Sequence, residues 1–259
     1  MTENAGLTIL PVRGMPLFAP GMSVAAETAA ALHRMGEELR DGDIVVLAQK
    51  IVSKSEGAIV RLADVVPTDE AQRIARETDR DPAMIQLILD QSSEILRATP
   101  AAVIARQRTG HVLANAGIDA SNVDDGEGAV LVWPEDPDAS ARAIRAELAG
   151  LVRCSPAVVI ADSMGRAWRI GTCGGAIGCA GLTVLDDRRG TGQDLFGRTL
   201  QATVIAVADA VAAAAVLVMG EGAEGTPAAI VRGCAKWVTQ DHGPGAVSGL
   251  RPAREDMFR

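Results

Sequence analysis

The sequence predicts an α+β (mixed α/β) fold in which mixed sheets carry packed helices, and three observations lead there. Short apolar runs such as Ile44–Ala48 and Val158–Ala161 have the length and composition of buried strands. Longer segments repeat their apolar residues at helical spacing. Hairpin and helix signals then interleave without a regular strand–helix alternation, which sets the chain apart from a repeating βαβ architecture.

Taken in order, Thr8 to Val12 reads as a strand, and Ala25 to Leu39 as an amphipathic helix leading into a turn at Gly42–Asp43. Ile44 to Ala48 is a buried strand. Thr68 to Glu77 and Pro82 to Leu96 read as two further helices, the second opening on a proline, which suits a first helical position. Val103–Arg108 and His111–Ala116 flank Thr109–Gly110, a hairpin signal. Ala129 to Trp133 is a short strand and Asp138 to Leu151 a helix rich in Ala, Arg and Glu; Val158–Ala161 and Ala229–Val231 add strands. The most apolar stretch, Val204 to Met219, contains Asp209 and is dominated by Ala. A membrane span needs roughly 20 strongly apolar residues, so this stretch is expected to be a buried helix at a lobe core or a subunit interface. The glycines of the following MGEGAEG stop it. Residues 1–240 form the expected folded body; the tail from Asp241 to Arg259, with two prolines and mixed charge, is expected to be poorly ordered unless a partner holds it.

Composition excludes several classes of function. The chain has 259 residues, enough to bury a substantial core in one large domain or two lobes. Aromatics make up 2% of it, with no Tyr, so that core must be built from Ala, Val, Leu and Ile. A formal charge of −8 and the scarcity of stacking aromatics argue against nucleic acid as a partner. Phosphate affinity must therefore come from local cations. Cys154, Cys173, Cys179 and Cys234 show no C-x-x-C pairing and His33, His111 and His242 are scattered, so zinc is not indicated. With no secretory signal read at the N-terminus, the expectation is a protein of the reducing cytoplasm with unpaired thiols.

The most informative segment runs from Val159 to Gly181. An apolar run delivers Asp162 and Ser163, followed by Arg166, Arg169 and a series of glycines. A carboxylate beside a hydroxyl suits a hard cation such as Mg²⁺ or Mn²⁺. Arginines can neutralise an anion, and bare backbone can approach phosphate oxygens closely. A glycine-rich sheet turn with a surface Asp fits the same string. NAGIDASN (Asn115–Asn122) adds oxygen donors on short side chains at Asp119, Ser121 and Asn122, followed by the turn-prone Asp124, Asp125 and Gly126. An Asx turn closing a hairpin is its alternative reading. In the third segment, Gly42–Gly57, a strand exits into Gln49, Lys50, Ser53, Lys54, Ser55 and Glu56. No Walker string is present, yet lysines just past a strand can hold phosphate as point charges; a solvated face is the other possibility.

PVRGMPLF, QKIVSKSEG, NAGIDASN, ADSMGRAWRIG and MGEGAEGTPAAIVRG occur in this order from Pro11 to Gly233. This series resembles the coenzyme F420-0:L-glutamate ligase family, the γ-glutamyl ligases that add glutamate to a deazaflavin coenzyme. The resemblance implies a two-lobed fold of mixed sheets with packed helices over residues 1–240. It implies nucleotide contacts, with GTP as co-substrate, at Met15, Pro16, Leu17, Phe18, Gln49, Lys50, Lys54, Asn122 and the loop Met219, Gly220, Glu221 and Gly222. It places divalent metal, two ions of Mg²⁺ or Mn²⁺ with K⁺ as a further ion, at Asp119, Asp162 and Ser163 with Gly220 or Glu221 nearby. It also implies a homodimer. This chain has Ser163 where the family commonly has Thr, and it departs at Met164 and Ile170, which bears on substrate contacts more than on metal.

The chemistry fits that inventory. A carboxylate is a poor electrophile, and phosphorylation by a nucleoside triphosphate converts it to an acyl phosphate that an amine can attack. Phosphoryl transfer chiefly demands charge neutralisation and in-line positioning. The expected catalytic set is Asp119, Asp162, Arg166 and Arg169. Two other classes use the same residues: a metal-dependent phosphohydrolase, and a non-catalytic nucleotide-binding protein.

Overall fold

The computed structural model describes residues 6–123 and 128–257; the expected turn at Asp124–Gly126 lies outside them. Strand β1 (Thr8–Pro11) is followed by helix α1 (Val24–Met35). Ser23 caps that helix by accepting from the Ala26 N–H, and Gly36, at φ 70°, ends it short of the expected Leu39. Strand β2 (Ile44–Ala48) matches its expected bounds, and QKIVSKS then folds into a short helix, α2 (Gln49–Ser55), which leads to β3 (Ile59–Arg61).

Helices α3 (Asp69–Thr78) and α4 (Pro82–Asp90) follow, capped by Thr68 and Asp81. The expectation that the second would run to Leu96 is corrected. Residues Ser92–Ala98 form β4, which pairs antiparallel with β5 (Val103–Gln107), itself paired with β6 (Val112–Ala114). Sheet pairing wins over helical spacing here because Ile95 opposes Ala105 and packs on a small core with Ile74, Ile85 and Ile88. Strand β7 (Ala129–Leu131) pairs with β3.

Helix α5 (Pro137–Leu151), capped by Asp136, precedes a long hairpin of β8 (Ala157–Arg166) and β9 (Arg169–Ala180). A small pair, β10 (Leu185–Asp187) and β11 (Val204–Ala206), leads to α6 (Val207–Met219) and β12 (Ala228–Arg232). Val204–Ala206 is thus strand, and the expected helix begins three residues late.

The central sheet has the order β1-β12-β2-β8-β9. Its faces are read directly from alternation: Val45, Leu47, Val158 and Ile160 face α1 and α5, whereas Ile44, Val46, Val159 and Ala161 face α6. The glycines of β9 serve this layering. A Cβ at Gly174 would stand 2.5 Å from the Ala212 carbonyl of α6, and one at Gly178 would stand 2.3 Å from the Pro137 carbonyl. Small residues on the helix and none on the strand let the two backbones meet, so these glycines pack helices and do not form a phosphate cradle.

The tail is docked through residue 257, which corrects the expectation of disorder for that part. Buried Asp138 accepts from the Cys179 and Ala246 N–H groups, each at 2.7 Å. Arg145 donates to the carbonyls of Pro156, Thr239 and Asp241 at 2.6–2.9 Å. One carboxylate and one guanidinium therefore fasten the tail to α5 and β9. Among the described residues no helix is long and apolar enough to cross a membrane. All four cysteines are unpaired, and burial pushes the Cys179 thiol up to about 12, which makes it unreactive.

Candidate active site

The site follows from one feature of the sheet. β2 and β8 run parallel, with Ala48 opposite Ala161. The parallel pairing ends there, so Gln49 at the start of α2 and Asp162 within β8 come side by side, at the position where open α/β sheets bind ligands. A cleft of about 1080 Å³ opens there. Its walls come from the loop Met15–Pro20, from α2, from the NAGIDASN segment, from the start of the β8–β9 hairpin and from the loop between α6 and β12.

Met15, Pro16, Leu17, Phe18, Gln49, Lys50, Lys54, Asp119, Asn122, Asp162, Ser163, Met219, Gly220, Glu221 and Gly222 all line this cleft. Arg166 and Arg169 do not; they sit exposed at the tip of the hairpin, where Arg166 donates to the Ile170 carbonyl at 2.9 Å.

Asp119 lies on the segment that follows β6. Its backbone is pinned to β7 by reciprocal bonds with Leu131 (N to O 3.0 and 2.8 Å). Lys50 of α2 pairs with its carboxylate at 2.7 Å, and the Ser121 N–H donates to it at 2.7 Å. Lys50 also donates to the Ser121 hydroxyl. Burial alone would raise this carboxyl, but the Lys50 ammonium and the Ser121 donors outweigh it and hold Asp119 below the ordinary range. The turn before it is bent hard: Asn115 and Ala116 both stand at φ 52° and Gly117 at 77°, a conformation that costs about 1 kcal/mol or more at each non-glycine position.

Asp162 has the opposite character. Its carboxylate accepts from the Ser163 N–H and from the Trp133 indole N–H, each at 2.8 Å. Among the described residues no cation is paired with it, and protein packs round it, although the residue keeps an edge open to the cleft. Desolvation therefore pushes it up to about 6; the two donors and the more distant charge of Lys50 offset part of this, and the charge of Asp119 adds to it. The Ser163 hydroxyl donates to Glu221 at 2.6 and 2.7 Å, tying the hairpin to the loop after α6.

The rest of the cleft is set by α2 and the two loops. Lys54 donates to the Asn122 carbonyl at 2.6 Å, and the Asn122 amide donates to the Gly222 carbonyl at 3.3 Å. Gln49 lines the cleft and is buried, and its Oε1, a buried atom, has no hydrogen-bond partner among the described residues. At Gly220 (φ 80°) a Cβ would stand 2.3 Å from the Glu224 carboxyl carbon, so only glycine lets Glu224 fold back and accept from the Gly222 N–H at 2.8 Å.

Trp133 and Glu224 escaped the sequence reading. The available signal for Trp133 was its rarity, as one of three Trp in a chain poor in aromatics; Glu224 looked like one more charge in a glycine loop.

The acids, hydroxyls and carbonyls gathered here are hard donors that suit Mg²⁺ or Mn²⁺ rather than softer ions. Among the described residues no three His, Cys, Asp or Glu side chains are close enough to enclose an ion. The acids are engaged locally instead, Asp119 by Lys50 and Glu221 by Ser163. Chemically, the cleft brings together lysines and bare backbone, which suit an anion, and the carboxylates of Asp119, Asp162, Glu221 and Glu224, which suit a cation.

Known proteins share this framework over its whole length. A relative from Methanothermobacter thermautotrophicus, named coenzyme F420:L-glutamate ligase, is 46% identical over 254 residues, covering 98% of this chain and 99% of its own. Proteins of the same name from Methanopyrus kandleri and Methanocaldococcus jannaschii are 41% and 38% identical, over 98% and 95% of this chain and 99% and 94% of theirs. The sequence model of the F420-0:gamma-glutamyl ligase family matches residues 14–233, a span that holds every cleft residue named above. On the fold, the cleft and these matches together, the chain belongs to the F420-0:gamma-glutamyl ligase family of ligases.

Proposed function

We propose that this protein joins L-glutamate to coenzyme F420-0 through an amide bond, and can extend the product by further glutamates, consuming GTP by way of an acyl phosphate. The observation that carries the reading is the convergence of Asp162 and Ser163, Asp119 with Lys50, and the MGEG loop on one cleft. A carboxylate oxygen of the deazaflavin substrate attacks the γ-phosphorus of GTP, and GDP leaves. The glutamate amine then attacks the acyl carbon, phosphate departs with the bonding pair, and the amine loses its proton.

Lys50 and Lys54 neutralise phosphate oxygens, and Met15–Phe18, Gln49 and Asn122 line the nucleotide. Asp119, Asp162 and Ser163, with Gly220 and Glu221, would hold Mg²⁺ or Mn²⁺, with K⁺ as a further ion; when bound these supply charge neutralisation for phosphoryl transfer. Lys50 and Ser163, which hold the carboxylates of Asp119 and Glu221, would give up those contacts to such an ion, and Lys50 would then be available to phosphate. Asp119 and Asp162 complete the catalytic set. Arg166 and Arg169 can join it only from outside their own cleft, through a partner subunit or a closing motion.

A homodimer working in the cytoplasm is part of the proposal. Its support is exposed apolar surface: Ile170 and Leu195 are fully exposed and Trp168 is 89% exposed. We take the contact to be the hairpin tip and the loop near Leu195, because the buried face of α6 is spent on the central sheet. Light scattering of Ile170→Asp/Leu195→Asp should give the monomer mass of 26.8 kDa, and a doubled mass would reject this surface.

The deciding assay is mass spectrometry of F420-0 with GTP, Mn²⁺ or Mg²⁺ and L-glutamate, alongside phosphate release. A glutamate-dependent mass gain matched by phosphate supports the ligase. Phosphate release independent of glutamate points to a hydrolase, and neither signal leaves a binding protein.

A further inference from the structure

Trp133 follows β7 and is 2% exposed, in the core that packs against α1 and α5. Packing alone does not require an indole there, since Phe or Leu fills such a space without a polar atom to satisfy. The indole N–H points at Asp162 Oδ2, 2.8 Å away, while the Ser163 N–H holds Oδ1 at the same distance. Each carboxylate oxygen accepts one bond, so the plane of the group is fixed and each oxygen keeps a lone pair for a ligand.

The ring is itself held by two neighbours. His111 meets it edge-on, with centroids 5.3 Å apart and planes at 83°; that imidazole is held by the Thr109 hydroxyl and the Ala176 carbonyl at 2.8 and 3.3 Å. Gly117 also abuts the ring: a Cβ there would stand 2.4 Å from the indole nitrogen. Gly117 also belongs to the left-handed turn that delivers Asp119 two residues later. One glycine thus admits the ring that orients Asp162 and shapes the turn that presents Asp119.

We infer that Trp133 is a positioning residue: through its indole N–H it fixes the carboxylate of Asp162 in the orientation needed to receive a divalent ion. This rests on the metal reading given above. Partners of metal-ligating groups commonly contribute 10–100-fold in affinity, so the N–H should carry about tenfold or more.

The test is Mn²⁺ titration by calorimetry on metal-free protein, comparing wild type with Trp133→Phe. A second replacement exchanges the indole for benzothiophene, which keeps the ring size and removes only the N–H. The chain has three Trp and no Tyr, so a Trp168→Phe/Trp237→Phe background leaves Trp133 as the sole emitter. Its fluorescence should be quenched by Mn²⁺ over the calorimetric range. The expected result is Mn²⁺ binding weakened about tenfold or more in both replacements. The Mn²⁺ activation constant should rise in parallel, and kcat should recover at saturating metal with the GTP KM unchanged. Wild-type Mn²⁺ affinity in the benzothiophene protein would show that Asp162 merely satisfies the N–H, and would overturn the inference even if Trp133→Phe misfolds. Calorimetric binding without quenching would place the ion elsewhere and overturn it too. Absence of Mn²⁺ binding in folded wild type would instead remove the metal reading itself.

Discussion

Replacing each cleft acid by its neutral isostere should move stability in opposite directions. Asp162 is raised from 3.8 to about 6, a difference worth about 3 kcal/mol at most against the charged form. A group raised on folding contributes stability that is complete below its unfolded value and is lost as pH rises through the folded one. Metal-free wild type should therefore lose up to about 3 kcal/mol from this group between pH 4 and 7, and Asp162→Asn should not. The amide offers one acceptor oxygen where the carboxylate offers two, so either Trp133 or Ser163 loses its acceptor, at a cost of about 1–2 kcal/mol. At pH 8 Asp162→Asn should then be more stable than wild type by about 1–2 kcal/mol, and at pH 4.5 less stable, while ligase turnover collapses.

Asp119 is held low by Lys50 and Ser121. Its contribution is present above the unfolded value and is lost only as pH falls through the lower folded one. Asp119→Asn should be less stable than wild type by the same amount at pH 8 and pH 5. Urea or thermal unfolding in chelator measures both variants; for a chain of this size the Asp162 swing corresponds to roughly 6–12 °C in Tm. A relative swing below about 1 kcal/mol, or destabilisation by Asp162→Asn at pH 8, would refute the claim that Asp162 is a charge held against its burial cost.

Three further outcomes are expected. Lys54→Met should raise the apparent GTP constant about tenfold, well beyond the effect of the exposed Arg251→Met, in steady-state kinetics; equal effects return α2 to a structural role. Asp138→Ala strips two buried N–H groups of their acceptor, so unfolding should show a loss of about 3 kcal/mol or more, with faster proteolytic cleavage near Ala246. Gly174→Ala drives a Cβ against the α6 backbone and should cost about 1–3 kcal/mol in denaturant unfolding, with nucleotide affinity falling little because Gly174 lies outside the cleft.

Legibility in the sequence tracked how local the determining physics was. β2 was found to the residue because five apolar side chains between turns admit one reading. The cleft residues were legible as short polar strings after strands. α4 was read too long because Ile95 and Leu96 fit a helix stripe as well as a strand, and the choice was made by β5, across a turn. α2 went unread because its seven residues carry no capping side chain. The arginines were placed beside the acids because four residues separate Asp162 from Arg166; in an extended strand that distance is more than 10 Å, at about 3.3 Å per residue. The glycines of β9 were ambiguous in principle, since close approach to a phosphate and close approach to a helix demand the same missing Cβ.

The same extended geometry explains how one cleft contains two unlike acids. Asp162 directly follows the buried half of β8, so the sheet that positions it also strips its water, and its hydrogen-bond donors are uncharged: an indole and a backbone amide. Asp119 lies on a loop bridged to β7, near enough to α2 for Lys50 to reach it. The charge of Asp119 raises the cost at Asp162, and Lys50, which pairs with Asp119, offsets only a small part of it there. A positive charge entering this space gains most at Asp162, where among the described residues no cation is paired with it. A site so divided favours cation binding without needing further acids, because stabilisation grows with the burial cost that binding removes. The cost falls on the protein before binding, which is why the residue most needed by the chemistry is also the one whose neutralisation should make the fold more stable.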